Sequence, residues 1–352
     1  MPALGSLPVL LGLTLAAQAG TEAATSYLAQ VERYRRGETE EVVKEVSRWP
    51  GDRLRREADN ASREVRGGLD FPVAAAAMLH TDCARLSGER SDLVTFDARM
   101  EEAAAFVRLL EGHPEGASFA RRWYEAVGYD LMGWGDIVRA RRFLEDGLRR
   151  FPGDPALRLA LGSLAEMEGS PALTPLSARS APQPAERRER QGRLRHRNLS
   201  PAEAEGEYRR ALEADPELGE AHLRRGRVLA ELGRAGEALP ELEWVRQRSR
   251  DPYLLYLTFL FEGRIQEQAG RLEAATACYR SATAQDPAGQ TGYLALGHAL
   301  DLMGDGAGAV EALRHAAPAL PRAHDDGWWL YRFGRSHRVG VMLDELRREA
   351  TR

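Results

Sequence analysis

Residues that could bind a metal ion occur at two places in the sequence. His80 and Cys83 are three residues apart, so on a helix they would share one face and could supply two ligands. A structural zinc site takes four ligands, and no second pair lies near these two in the sequence. The other place holds a looser set, His315, His324, Asp325, Asp326 and His337. We therefore predict a packed histidine, an unreactive buried thiol and no metal site.

Motifs of the common enzyme classes are missing from the sequence. The chain has no HExxH, GxSxG, GxxxxGK[ST] or CxxC. Gly304, Gly306 and Gly308 form a GxGxG pattern, but they fall in a turn between two predicted helices, with no strand before them. A phosphate-binding loop is therefore not predicted there. The sequence indicates a protein that is not an enzyme and needs no cofactor.

The segment 170–200 is rich in proline and arginine. It has seven arginines against two glutamates, a local charge of +5 in a chain of net charge −4. Its basic arm consists of Arg187, Arg188, Arg190, Arg193, Arg195 and Arg197. This composition is typical of a solvated loop. The alternative is an arm that docks on an acidic partner, a phosphate-rich polymer or a membrane surface, although no aromatic residue interleaves the arginines to stack on bases.

Overall composition narrows the class of protein further. The 352 residues include 49 basic and 53 acidic side chains, so no general attraction to nucleic acid is expected. A hydrophobic fraction of 43% with 29% charged residues is typical of a packed protein. The two cysteines, Cys83 and Cys278, cannot form a disulfide framework, and we predict two free thiols.

The amino-terminal residues 1–19 resemble a secretory signal peptide. Leu7–Ala17 is an uncharged apolar run that is too short to cross a bilayer, and Ala17-Gln18-Ala19 provides a small-x-small cleavage site. The residues before the run lack lysine and arginine, which leaves a buried first helix of a cytoplasmic protein as the alternative. If the segment is cleaved, the protein is extracytoplasmic, either periplasmic or secreted.

A pattern with a period of about 34 residues organises the rest of the chain. Units beginning at Arg121, Gly219, Tyr256 and Gln290 place, with few exceptions, large apolar residues at position 4 and glycine at 8 and 15. Small residues follow at 20 and 27, a bulky residue at 24 and proline near 32. Small residues let two antiparallel helices approach closely, glycine at 15 suits the turn between them, and proline ends the second helix.

A fifth unit is divided by the arginine-rich segment. Leu157 to Gly169 supplies its first helix, with Gly162 at position 8, and Ala202 to Ala214 supplies the second, with Tyr208 at position 24. Together the five units resemble the tetratricopeptide repeat family. This resemblance implies an all-α, right-handed superhelical solenoid of antiparallel helix hairpins over residues 119–321. It also implies a scaffold or adaptor that binds other proteins.

The flanking segments match the pattern less well. Residues 20–118 are predicted to form divergent helical hairpins, with a helix on each side of a turn at Gly88. Residues 322–352 are predicted to cap the solenoid, whose end would otherwise expose apolar surface. The aromatic residues of this segment are Trp328, Trp329, Tyr331 and Phe333. A patch of aromatic rings that stack on a ligand is the alternative interpretation.

The family resemblance also implies which residues would line the concave face. The candidates for a partner-binding surface on this face are at first-helix positions 5, 9 and 12: Tyr129, Leu223, Arg227, Leu260, Arg264, Glu267, Leu294, His298 and Asp301. An aliphatic stripe flanked by guanidinium groups suits a peptide with apolar side chains and a carboxylate. The alternative is that the leucines are core and the arginines are solvated. The runner-up function is a cell-envelope assembly factor that contacts anionic surfaces through the basic arm.

Overall fold

A computed structural model describes most of the chain as helices packed in sequence order. The described residues are 27–49, 56, 73–89, 92–112, 114–168, 201–316, 326–332 and 338–351, and none of them is in a β-strand. The chain divides into two compact units. Met1–Trp123 with Val341–Arg352 forms the first unit, and Tyr124–Gly340 forms the second.

The described helices of both units are numbered here in chain order. The amino-terminal helices are α1 (Tyr27–Arg35), α2 (Thr39–Val46), α3 (Val73–Glu89), α4 (Leu93–Leu110) and α5 (Pro114–Gly133). The next nine are α6 (Ile137–Arg150), α7 (Pro155–Glu168), α8 (Pro201–Ala214), α9 (Gly219–Glu231), α10 (Ala235–Arg248), α11 (Pro252–Gln268), α12 (Leu272–Gln285), α13 (Gln290–Leu302) and α14 (Gly306–Ala316). The last two are α15 (Gly327–Arg332) and α16 (Val339–Ala350).

Two hairpins, α1–α2 and α3–α4, make up most of the first unit. Gly37 turns between α1 and α2 with a φ of 95°, a conformation that favours glycine. Helix α3 continues through Gly88 to Glu89, so the predicted turn at Gly88 is wrong. The side chain of Asp92 accepts a hydrogen bond from the backbone N–H of Thr95 and caps α4.

The last helix of the chain, α16, packs within the first unit. Arg347 donates two hydrogen bonds to the carboxylate of Asp82 on α3, at 2.9 and 2.8 Å. The Tyr34 hydroxyl donates to the same carboxylate at 2.6 Å, and Arg122 pairs with Glu349 at 2.5 Å. Helix α16 thus makes polar contacts with α3 and α5, and the capping role predicted for residues 322–352 stays a prediction.

Close contacts between glycines and bulky side chains hold the hairpins of the second unit together. A Cβ atom on Gly162 would lie 2.4 Å from the Tyr208 ring, and one on Gly263 would lie 2.4 Å from the Tyr279 ring. Each glycine is at position 8 and each tyrosine at position 24 of its unit. Similarly close contacts occur between α5 and α6 and between α9 and α10, whereas the contact between α13 and α14 is looser, with an added Cβ on Gly297 lying 3.4 Å from Leu313. Helices α7 and α8 therefore pack on each other like the other hairpins, although residues 169–200 separate them in the sequence.

The turns of the second unit repeat as regularly as its contacts. The glycines at position 15 of four hairpins have φ between 72° and 83°, in the left-handed region that other residues rarely adopt. They are Gly135, Gly233, Gly270 and Gly304. None of the helices in the described part of the chain is long and apolar enough to cross a membrane.

Candidate functional site

A short carboxyl-terminal segment, Asp326–Arg332, lies against α11 in the second unit. We call it the docked segment. Its rings pack on Phe261, with centroid distances of 5.9 Å to Trp328 and 5.3 Å to Tyr331, both in edge-on geometry. The two rings of the segment stack on each other with centroids 6.2 Å apart. Trp328 and Tyr331, two of the four aromatic residues that the sequence suggested as part of a cap, therefore pack along the side of a first helix, and Phe333 lies outside the described residues.

Asp326 anchors the beginning of the docked segment. Its carboxylate accepts hydrogen bonds from the Tyr256 hydroxyl at 3.0 Å and from the backbone N–H of Thr291 at 2.7 Å. Thr291 is in the first turn of α13, where backbone N–H groups attract an anion. The same carboxylate also accepts from the N–H of Trp328 at 2.9 Å and so caps the segment's own helix. At 3% exposure, Asp326 is a buried charge held by these donors.

Tyr331 anchors the other end of the docked segment. Its hydroxyl donates a hydrogen bond to Glu166 Oε1 at 2.6 Å. The guanidinium carbons of Arg224 and Arg227 lie 4.4 and 5.2 Å from the centre of the Tyr331 ring, within range of cation–π attraction. The ring is therefore held by a carboxylate at its hydroxyl and by two cations near its π system.

Glu166 is the centre of a buried charge cluster. Its side chain is 6% exposed and pairs with Arg224 at 3.2 Å and with Arg227. The Tyr208 hydroxyl donates to it at 2.5 Å. We call Glu166, Arg224, Arg227, Tyr256 and Phe261 the groove residues, since all of them contact the docked segment.

The arginines of the cluster have further partners of their own. Arg224 Nε donates to Glu220 at 2.9 Å, and Arg227 Nη2 donates to Glu231 at 2.6 Å. Both glutamates are on α9, four residues from the arginine that each one binds. Each guanidinium is thus shared between Glu166 and a carboxylate on its own helix.

The electrostatics follow from this arrangement. Burial alone raises the pKa of Glu166, but the charges of Arg227 and Arg224 and the two tyrosine hydrogen bonds outweigh it, so the pKa falls below the ordinary value. Burial raises the pKa of Tyr331 and Tyr208, and the nearby Glu166 charge raises it further. The cluster therefore contains an ionised carboxylate and neutral phenols at neutral pH.

Several residues predicted to line the concave face are instead buried. Tyr129, Leu223 and Leu260 are between 0% and 5% exposed, because they fill the space between neighbouring helices. Arg227, predicted as a solvent-facing cation, has a side chain that is 11% exposed and paired with Glu166 and Glu231. Leu223 and Leu260 thus correspond to the alternative in which the leucines are core, and the binding role of the predicted surface stays a prediction.

The other residues predicted to line the concave face form an open surface. Arg264 and Asp301 are exposed, Leu294 is 42% exposed, and the His298 side chain is 61% exposed. Glu267, which is more enclosed, accepts a hydrogen bond from the Tyr279 hydroxyl at 3.0 Å and lies 3.7 Å from His298. We call Arg264, Leu294, His298 and Asp301 the open face. Its binding role remains a prediction.

Sequence reasoning missed Glu166, Arg224, Tyr256 and the docked segment. Glu166 is at position 12 of the divided unit, in the same column as Glu267 and Asp301. Extending the column through the divided unit would have found it. Arg224 is at position 6, which the pattern assigns to no concave column, so only the structure reveals its role.

Other predicted sites are buried or lie outside the described residues. His80 is fully buried in the first unit, where the Tyr27 hydroxyl lies 2.9 Å from its Nε2 and Glu102 lies 2.9 Å from its Nδ1. Cys83 is buried and Cys278 half-buried, and both are free thiols. The basic arm, from Arg187 to Arg197, is outside the described residues. Within the described residues, no group of three or more His, Cys, Asp or Glu side chains is placed to hold a metal ion.

The hairpins of the second unit share one geometry, with glycine at position 8 facing the bulky residue at 24 and a left-handed glycine at 15 in four of the turns. In both features they resemble tetratricopeptide repeats. The resemblance rests on these contacts and turns within the chain itself. The tetratricopeptide-type array accordingly consists of the hairpins α5–α6, α7–α8, α9–α10, α11–α12 and α13–α14.

Comparison with known proteins gives structural matches only. No protein-family model and no curated protein matches the chain. Residues 41 to the end of MamA from Desulfovibrio magneticus RS-1 are 20% identical, with a TM-score of 0.40, over 58% of this chain and 97% of that chain. PilF from Pseudomonas aeruginosa is 16% identical, with a TM-score of 0.44, over 65% of this chain and 97% of that chain.

Proposed function

We propose that this chain is a scaffold or adaptor that binds a protein or peptide partner along the first helices of its tetratricopeptide-type array. One observation carries the proposal. The groove residues already hold a peptide segment, through a carboxylate at one end and a tyrosine hydroxyl at the other. The same surface therefore has the donors, cations and aromatic area that peptide recognition requires.

The open face beside the groove residues offers further contacts to a partner. Arg264 can pair with a carboxylate, and Leu294 offers apolar surface on the neighbouring first helix. His298 and Asp301, both exposed, can exchange hydrogen bonds with a peptide backbone. A partner segment with apolar side chains and an acidic residue or terminal carboxylate fits this combination.

Cross-linking in the native organism followed by mass spectrometry tests the proposal. We expect the cross-links of a partner to map to α11 and α13, and Arg264→Glu to reduce its recovery at least fivefold. The matched control is Arg280→Glu, which makes the same charge change at an exposed position on the second helix α12. Equal recovery with wild type and Arg264→Glu, or equal loss with both variants, would refute binding at the open face.

A further inference from the structure

We infer that the groove residues form a recognition site for a short helical peptide of the pattern Asp-Gly-aromatic-x-x-Tyr, and that the docked segment occupies this site as a built-in competitor. The inference deepens the proposed function, on which it rests. The site is defined by Glu166, Arg224, Arg227, Tyr256 and Phe261, which contact the docked segment, and none of these five residues belongs to the open face.

Each position of the pattern corresponds to a contact of the docked segment. Asp326 needs two acceptor oxygens to reach both the Tyr256 hydroxyl and the N–H of Thr291. Glycine is favoured at position 327, because an added Cβ would lie 3.1 Å from Tyr253 and 3.3 Å from Tyr256, closer than an ordinary contact. These contacts define the first two positions of the peptide.

The aromatic positions are defined at the other end of the site. Trp328 meets the Phe261 ring edge-on, so an aromatic residue is favoured two positions after the aspartate. Tyr331 supplies the hydroxyl that Glu166 accepts, and phenylalanine at this position would leave a carboxylate oxygen without that donor. The requirement for tyrosine is therefore chemical as well as steric.

The groove can lose the docked segment without leaving a buried charge unpaired. Without Tyr331, Glu166 retains Arg224, Arg227 and the Tyr208 hydroxyl. The arginines also retain their partners on α9, Glu220 and Glu231. Since a stranded buried charge is what makes breaking such clusters costly, exchange of one tyrosine-bearing segment for another is feasible here.

The docked segment needs its contacts with the groove to be helical, whereas the hairpins of the array are stabilised without it. Helix α15 spans 6 residues, and a helix this short is not stable by itself in water. The hairpins of the array are held by their own contacts, such as those of Gly263 with Tyr279 and Gly226 with Leu242. The segment is thus an added ligand of the array rather than part of its repeat.

The test uses a fluorescein-labelled peptide with the sequence of residues 324–334, HDDGWWLYRFG, and the full chain. Fluorescence anisotropy would measure its binding to wild type and to the variant Trp328→Ala/Tyr331→Phe, in which the docked segment is weakened. We expect the variant to bind the peptide at least tenfold more tightly, because its competitor is weaker. The same peptide carrying Tyr331→Phe should bind the variant about tenfold more weakly, as expected for loss of a hydrogen bond to a charged group.

A second measurement does not depend on the stability of the variant. In hydrogen exchange of the wild-type chain, an excess of peptide should accelerate exchange of the amides of residues 327–332, because the docked segment is displaced. The inference would be overturned if the variant did not bind the peptide and the peptide did not change hydrogen exchange of the wild-type chain. It would also be overturned if Tyr331→Phe in the peptide left its affinity for the variant unchanged. Those results would leave Arg264-dependent partner capture intact. Partner recovery that Arg264→Glu does not reduce would refute only the open face.

Discussion

Replacing Glu166 with glutamine removes the charge at the centre of the buried cluster while keeping the size of the side chain. The wild-type carboxylate accepts from four groups, Arg224, Arg227, Tyr208 and Tyr331. Glutamine offers one acceptor oxygen and an amide that must itself donate. Glu166→Gln therefore leaves two buried cations short of a counter-charge.

The size of the effect follows from burial and from the remaining partners. Removing one member of a buried ion pair costs about 3–5 kcal/mol. Arg224 and Arg227 each retain a glutamate on α9, so we expect a loss near the lower end, about 3 kcal/mol of unfolding free energy. Glu213→Gln is the matched control, since its pair with Arg209 is exposed and worth only about 0.3–0.5 kcal/mol.

Urea unfolding of the full chain, followed by circular dichroism at pH 7, measures both changes. The pH dependence gives a second check. Because the folded-state pKa of Glu166 is lowered, its stabilisation is complete above the unfolded value of about 4.3 and is lost as the pH falls through the folded value. The difference between wild type and Glu166→Gln should therefore shrink on acidification. A loss at pH 7 no larger than that of Glu213→Gln, or a difference that grows towards pH 3, would refute this account of the cluster.

Three further predictions concern the array, the thiols and the basic arm. Gly263→Ala should lower the free energy of unfolding in urea by about 1–3 kcal/mol, because the added Cβ would overlap a tyrosine ring. The control Gly206→Ala, where the added Cβ meets open space on a helix, should raise it by about 0.5–1 kcal/mol. The reverse order would contradict the close-packing argument. Burial raises the pKa of Cys83 to about 12 and that of Cys278 to about 11. Iodoacetamide at pH 8 should therefore label the half-buried Cys278 slowly and Cys83 only after unfolding. Mass spectrometry that finds Cys83 labelled before Cys278 would contradict this prediction. Deleting residues 178–199 should abolish any salt-dependent binding to vesicles containing anionic lipid, and binding that survives the deletion would exclude the arm as its cause.

The array could be predicted from the sequence because its contacts are local and repeated. Glycine at position 8 and a bulky residue at position 24 contact each other within one hairpin. Because this pair recurs in several hairpins, it can also be recognised where additional residues separate Gly162 from Tyr208. The turn glycines are predictable for the same reason. Their left-handed backbone is a requirement of the hairpin that few other residues can meet.

The groove could not be predicted in the same way, because its contacts obey no period. Glu166 and Tyr331 are 165 residues apart, and Tyr331 belongs to no repeat. An assignment by position in the repeat also treats Arg227 as a surface cation. In the structure, Arg227 is enclosed because it pairs with the buried carboxylate of Glu166, which belongs to another hairpin of the array. The aromatic residues after Asp326 signalled that the segment packs somewhere, and only the structure shows against which helix.

The pairing of Asp82 with Arg347 has a consequence for the order of folding. The two side chains belong to the same compact unit, although the whole of the other unit is inserted between them in sequence. As a ribosome delivers the chain, every hairpin of the array emerges before the last helix of the first unit does. The array can therefore fold during synthesis, whereas Asp82 can pair with Arg347 only after the whole array has been synthesised.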